Sequence, residues 1–280
     1  PMVLLAREDG LRIARLLQSG RPVEVEFQLS NRVGGPFETA NVVAELRGSE
    51  RPDEFVVLGA HLDSWDMGTG ALDNGCNSAL VVDALRAIHG SGVRPKRSIR
   101  FILFSGEEQG LLGSRAYAAG HRAELDRAAA VVIFDAGIGE VTGFSLGGRT
   151  DAVAPLQCLL QPLQALGAAT LTTDAFIGTD NFDFLLEGVP TLVANQKEGN
   201  YLVNYHASSD TLDKVDLPRL RQHTAIAAAV MIALANAGPI APRQSRAQVE
   251  QLLRESGLEQ QMKTFNLWQD WEAQRRGRRE

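Results

Sequence analysis

Residues 54–60, 98–104 and 128–134 are nearly unbroken apolar runs of strand length. Such runs suit central strands covered on both faces. Apolar and polar positions alternate over residues 23–29, which predicts a half-buried strand. Further strands are expected at 41–46, 141–146 and 189–194. Between these runs the spacing turns helical. Residues 8–18 carry Leu11, Ile13, Ala14, Leu16 and Leu17, with Gly20 as a stop. Helices are also predicted over 78–89, 111–120, 151–166 and 179–187, and a long one over 217–237. Pro239 and Pro242 mark a break. Beyond it, 245–271 reads as a peripheral helix interrupted near Gly257, and the charged tail 275–280 as frayed. Strands alternating with helices predict an α/β fold, a three-layer α/β/α sandwich around a central, mostly parallel (mixed) sheet.

The chain has 280 residues, enough for one large α/β domain or two small ones, and its 44% hydrophobic content is ordinary for a globular protein with a real core. Its net charge of −6 argues against a nucleic-acid partner, which calls for a basic face. No run of 18 apolar residues occurs, so no membrane-spanning helix is expected. The two cysteines, Cys76 and Cys158, make no disulfide framework and read as small buried hydrophobes. The sequence starts at Pro1 rather than Met, so the missing signal peptide says nothing about compartment.

Chemistry enters where the apolar runs stop. His61 follows FVVLGA, and ligand sites in open α/β sheets lie beyond the carboxyl ends of strands. Asp63, two residues on, is placed to accept the second imidazole N–H. Asp73 stands in a glycine-rich loop just before a helix, where a capping role would be ordinary. Glu107 and Glu108 follow the run IRFILFSG. Adjacent carboxylates at the end of a buried strand are costly unless cations compensate them. In extended backbone their side chains point opposite ways, one to a metal and one to a substrate water. Asp135 ends a further apolar strand, and His206 lies in the polar loop NYHASSDT. Together these residues form an inventory for two cations, a shared carboxylate and a general base.

The stretches HLDSWD, GALDNG, FSGEEQGLLGS, FDAG and YHASSDT resemble the two-zinc aminopeptidase and carboxypeptidase family, above all its plasma glutamate carboxypeptidase (carboxypeptidase Q) branch. The resemblance runs from about Asn41 to about Ala237. It implies a zinc-exopeptidase fold and two zinc ions per chain, with Mn or Co as chemical alternatives. It also implies roles. His61 and Asp135 hold one ion, Glu108 and His206 the other, and Asp73 bridges them. Glu107 is the catalytic base, and Tyr205 stabilises the tetrahedral intermediate. Asp180 and Asn181 line the substrate pocket. Asn74 replaces a second Asp found in many relatives, at a position that is not a ligand. The implied domain plan is a return segment of an otherwise missing protease-associated insertion at 1–20, a catalytic domain at 21–240 and a C-terminal helical extension at 241–280. Small peptides or dipeptides are the implied substrates, export to the periplasm or outside the cell the implied location, and a homodimer one implied assembly. Two other readings share the fold: a single-zinc glutaminyl cyclase, and a receptor-like binding module without catalysis.

Overall fold

The structure, a computed structural model, describes every residue except Pro1, Met2, Leu4, Asn31, Val33 and Glu280. The chain divides into two compact units, Pro1–Thr39 and Ala40–Glu280. The first contains helix α1 (Arg7–Gln18), with Glu8 and Asp9 in its first turn and Arg15 in its last, a charge order that complements the helix dipole. Residues 23–29 form no strand, and Val25, Phe27 and Leu29 are exposed. Alternation sets which side chains a strand would bury, but a strand also needs a neighbour to complete its hydrogen-bond ladder. Among the described residues this segment has none.

The second unit runs β1 (Val42–Leu46), β2 (Arg51–His61), α2 (Cys76–Gly90), β3 (Arg97–Phe104), α3 (Leu112–Gly120), β4 (Ala128–Ile133), β5 (Val141–Ser145), α4 (Val153–Leu160) and β6 (Thr170–Thr172). It continues with α5 (Asn181–Leu186), β7 (Thr191–Gln196), α6 (Tyr201–Asn204), α7 (Leu217–Asn236), α8 (Arg246–Glu255), α9 (Leu258–Thr264) and α10 (Trp268–Glu272). The seven strands form one mixed sheet in the order β1-β3-β2-β4-β7-β5-β6. β1 runs antiparallel to β3 and β5 antiparallel to β7, while the other pairings are parallel. The parallel strands β2, β3 and β4 lie side by side and end together, which is why the loops after them converge.

The apolar run of β2 divides between two cores. Val56, Leu58 and Ala60 join Leu80, Ala84, Val230 and Leu234 of α2 and α7 on one face. Phe55 and Val57 join Tyr117 of α3 and Phe184 of α5 on the other. A strand sandwiched this way has no solvent face, so its sequence shows no alternation. Truncating the fully buried Leu58 to Ala would cost about 2–5 kcal/mol.

Residues 151–166 do not form one helix. A 3₁₀ turn at Thr150–Ala152 leads into α4, whose buried face carries Leu156 and Leu160 and leaves Cys158 exposed rather than buried, and the chain tightens again at Gln161–Leu166. Pro162 lacks the N–H that would continue the α-helix, and its ring opposes the carbonyl four residues earlier. The C-terminal helices bury Leu253, Met262 and Trp271 against Phe182 and Leu186 of α5. The tail is tied down rather than frayed at Arg276. That guanidinium is buried and donates to both oxygens of Asp183, at 2.8 and 2.7 Å.

Candidate metal centre

His61 closes β2 and is 1% exposed. Its Nε2 lies 3.1 Å from Asp73 Oδ1, 2.9 Å from Asp135 Oδ1 and 4.0 Å from Glu107 Oε2. His206 Nε2 lies 3.3 Å from Asp73 Oδ2 and 3.0 Å from Glu108 Oε2. The two oxygens of Asp73 therefore face different histidines. Two groups of ligand atoms follow, His61–Asp73–Asp135 and Asp73–Glu108–His206, each with its atoms within 4.8 Å of one another. A third such group joins His61 with Glu107 and Glu108.

Three acceptors in this cluster are buried without a hydrogen-bond partner: Asp73 Oδ2, Glu108 Oε1 and Asp135 Oδ1. Buried acceptors need donors or cations. The Glu108–His206 side opens onto a cavity of about 10 Å³, lined by Trp65, Gly70, Asp73, Ala207 and Asp210 as well. That is room for one small ion or water. The donor set of imidazole and carboxylate fits zinc.

The supporting contacts decide how the loops sit. Asp63 does not offer its carboxylate to His61 as its main partner. Its backbone carbonyl lies 2.9 Å from His61 Nδ1, while its carboxylate accepts the N–H groups of Glu107 and Glu108, both at 3.1 Å. Two free N–H groups in a turn are better partners for one carboxylate than a single imidazole already facing a carbonyl. Glu107 and Glu108 sit in that turn rather than in extended backbone, and their nearest imidazoles differ, His61 for Glu107 and His206 for Glu108. Asp210 performs the same service for the opposite loop, accepting the N–H groups of Leu72 and Asp73 at 2.6 and 3.0 Å. Ser78 Oγ donates to His61 O at 2.7 Å. The Asn74 amide donates to Phe134 O at 3.1 Å and accepts from Asn77 at 2.6 Å; an ionised aspartate could accept the second bond but not donate the first. Gly137, at φ +69°, leaves room for Tyr201, whose ring would lie 2.6 Å from an added Cβ. His206 is held at φ +53°, a left-handed conformation that His tolerates better than bulkier residues.

Electrostatics match a site short of positive charge. Burial, reinforced by Asp135, raises the Glu107 carboxyl. Burial and Asp73 push Glu108 up to about 7. Burial raises Asp135 as well. Burial alone would lower the His61 imidazole, but Asp135, Asp73 and Glu107 outweigh it and raise it. Asp180 is fully buried and pushed up to about 8 by burial. Neither of its oxygens has a hydrogen-bond donor, and the nearby Ser114 hydroxyl donates to Leu111 O instead. Asn181 turns its amide to Thr191 Oγ1 at 3.4 Å. Tyr205 stacks on His206 with ring centres 3.6 Å apart, and Tyr201 sends its hydroxyl to Asp135 O at 3.4 Å. Trp65, Tyr201 and Asp210 were not singled out by sequence reasoning as site residues. The available signal was position: Trp65 lies inside HLDSWD and Asp210 four residues past His206.

A family model described as peptidase family M28 matches residues 41–231. The chain belongs to peptidase family M28. This M28 chain is 30% identical to carboxypeptidase Q of Rattus norvegicus over 243 residues, covering 87% of its own length and 51% of the relative. It spans about half the length of the curated carboxypeptidase Q relatives it matches. The crystal structure of a peptidase M28 precursor from Shewanella amazonensis superposes with a TM-score of 0.69 at 35% identity, covering 73% of this chain and 47% of that one. A glutaminyl cyclase from an Acidobacteriales bacterium shares the fold at a TM-score of 0.55 and 21% identity, covering 70% of this chain and 73% of that one. No helix among the described residues is long and apolar enough to cross a membrane.

Proposed function

We propose that this chain is a metal-dependent exopeptidase that hydrolyses small peptides or dipeptides, with two zinc ions held by His61, Asp73, Glu108, Asp135 and His206. The observation that carries the reading is Asp73, whose two oxygens face two histidines, each completed by a further carboxylate. A single-zinc, glutaminyl cyclase-like reading leaves the His61–Asp135 half without a task. Divalent ions bound here would supply a polarised carbonyl and an acidified water.

The chain's own residues do the rest. Glu107, raised by burial, takes a proton from the attacking water and returns it to the leaving amine. Asp63 fixes the turn that aims Glu107 and Glu108. Tyr205 donates a hydrogen bond to the carbonyl oxygen as charge develops on it. Asp180 and Asn181, both buried, are assigned to the inner wall of the substrate pocket. Five carboxylates (Asp73, Glu107, Glu108, Asp135 and Asp180) gather here, of which Glu107 and Asp180 are raised by burial. No Lys or Arg forms an ion pair with any of them among the described residues. With no cationic side chain paired to the cluster, a substrate's free α-amino group suits the site better than a free carboxylate.

In the same reading, residues 21–240 are the catalytic domain, 241–280 its helical extension and 1–20 a segment returning from an insertion. Export and a homodimer belong to the same proposal. Hydrolysis of a dipeptide panel with free and blocked termini, before and after chelation, tests it. Free-amine dipeptides are cleaved, chelation abolishes cleavage and zinc restores it. Cleavage that survives complete metal removal contradicts the reading.

A further inference from the structure

We propose that Trp65 is a positioning residue that presets the Glu108–His206 half of the centre. The inference rests on the two-cation reading above. The indole Nε1–H donates to Glu108 Oε2 at 2.8 Å, and that same oxygen lies 3.0 Å from His206 Nε2. The indole ring also lies 5.7 Å from the His206 imidazole, inclined at 49°, so one side chain touches both residues.

The two halves of the site differ in how they are built. His61 is anchored by its strand, with a side chain only 1% exposed. Glu108 and His206 both stand on loops, and the His206 side chain is 19% exposed. A carboxylate on a loop rotates unless one of its oxygens is held. Trp65 holds Oε2, and Oε1 is left buried, without a partner and free for an ion. A hydrogen bond of this kind orients a metal-ligating carboxylate and fixes which oxygen is left for the ion. Trp65 is itself 45% exposed, so its role is not that of a core residue.

Trp65→Phe keeps an aromatic ring and removes the N–H. The test titrates the metal-free wild type and this variant with zinc chloride against a competing chelating dye, with thermal melting of both metal-free proteins as the check on folding. The expected result is two ions in the wild type. In W65F one ion remains tight and the other binds about 10–100-fold more weakly, with the melting temperature of the metal-free protein unchanged. In a His206→Ala background, which keeps only the His61–Asp135 ion, adding W65F leaves that ion's affinity unchanged. Two equally tight ions in W65F would overturn the role of Trp65 and leave the two-cation reading standing. Loosening of the remaining ion in the His206→Ala background would overturn its selectivity for one half. A wild type that binds fewer than two ions would overturn both proposals.

Discussion

Asp210 Oδ2 accepts the backbone N–H of Asp73 at 3.0 Å. Its other oxygen takes the N–H of Leu72, and its carbonyl accepts the N–H of Thr69 at 2.8 Å. The loop that presents His206 thus also sets the loop that presents Asp73. Leaving buried donors unpaired costs about 1–3 kcal/mol each. Asp210→Ala is expected to lower the melting temperature and to weaken zinc binding about 10–100-fold. Asp210→Asn, which keeps one oxygen acceptor, falls between. Wild-type zinc affinity in D210A, read by competitive titration, would mean that the two loops are set independently.

Glu107 lies 4.0 Å from His61 but outside the two groups that share Asp73. Glu107→Gln keeps the shape and removes the base. Its turnover number is expected to fall at least ~10²-fold, with zinc content unchanged by elemental analysis. Near-normal turnover would assign proton transfer to another group.

Arg276 and Asp183 make a bidentate pair, 1% and 3% exposed at the side chain. Removing one partner of a buried pair costs about 3–5 kcal/mol, while replacing both with apolar groups is often nearly neutral. Arg276→Met is therefore expected to unfold at lower urea concentration, and Arg276→Met with Asp183→Leu to recover much of the loss. Equal midpoints for the wild type and R276M would show that the tail contributes nothing to α5.

That pair also marks where the sequence stops being legible. Arg276 and Asp183 are 93 residues apart, and a charged C-terminal run gives no hint that one of its members is buried. The strands β2, β3 and β4 could be read because burial on both faces leaves an apolar run ended by a polar residue. The three residues of β6 are too short for any periodicity to register. Residues 23–29 show the converse, a strand pattern with no paired neighbour among the described residues. At the site, residue type and place at a strand end were visible in His61, Glu107, Glu108 and Asp135. Which side chains meet was not, because Asp63, Asp210 and Trp65 act through turns whose geometry depends on distant loops.

The metal-free protein has a pH dependence of definite sign. Burial holds Glu108 near 7 and Asp180 near 8 and raises Glu107, all above the ordinary carboxyl value of about 4. A folded form that binds protons the unfolded chain does not gains stability as pH falls through those values. His61, also raised, acts in the same direction. His206 and His223 are lowered by burial and oppose it, but only below about pH 6.5, where unfolded histidine begins to protonate. The melting temperature of the metal-free protein is therefore expected to rise from pH 9 to pH 7. Saturating zinc keeps the ligands ionised and should shrink that rise. A flat profile without metal, by calorimetry, would contradict the crowding of carboxylates described here.

The most direct measurement is the zinc-to-protein ratio after metal-free chain is loaded with zinc, freed of excess and analysed by plasma mass spectrometry. The account predicts two ions per chain, falling to one when His206 is replaced by Ala. A saturated ratio of one or none in the wild type would contradict it.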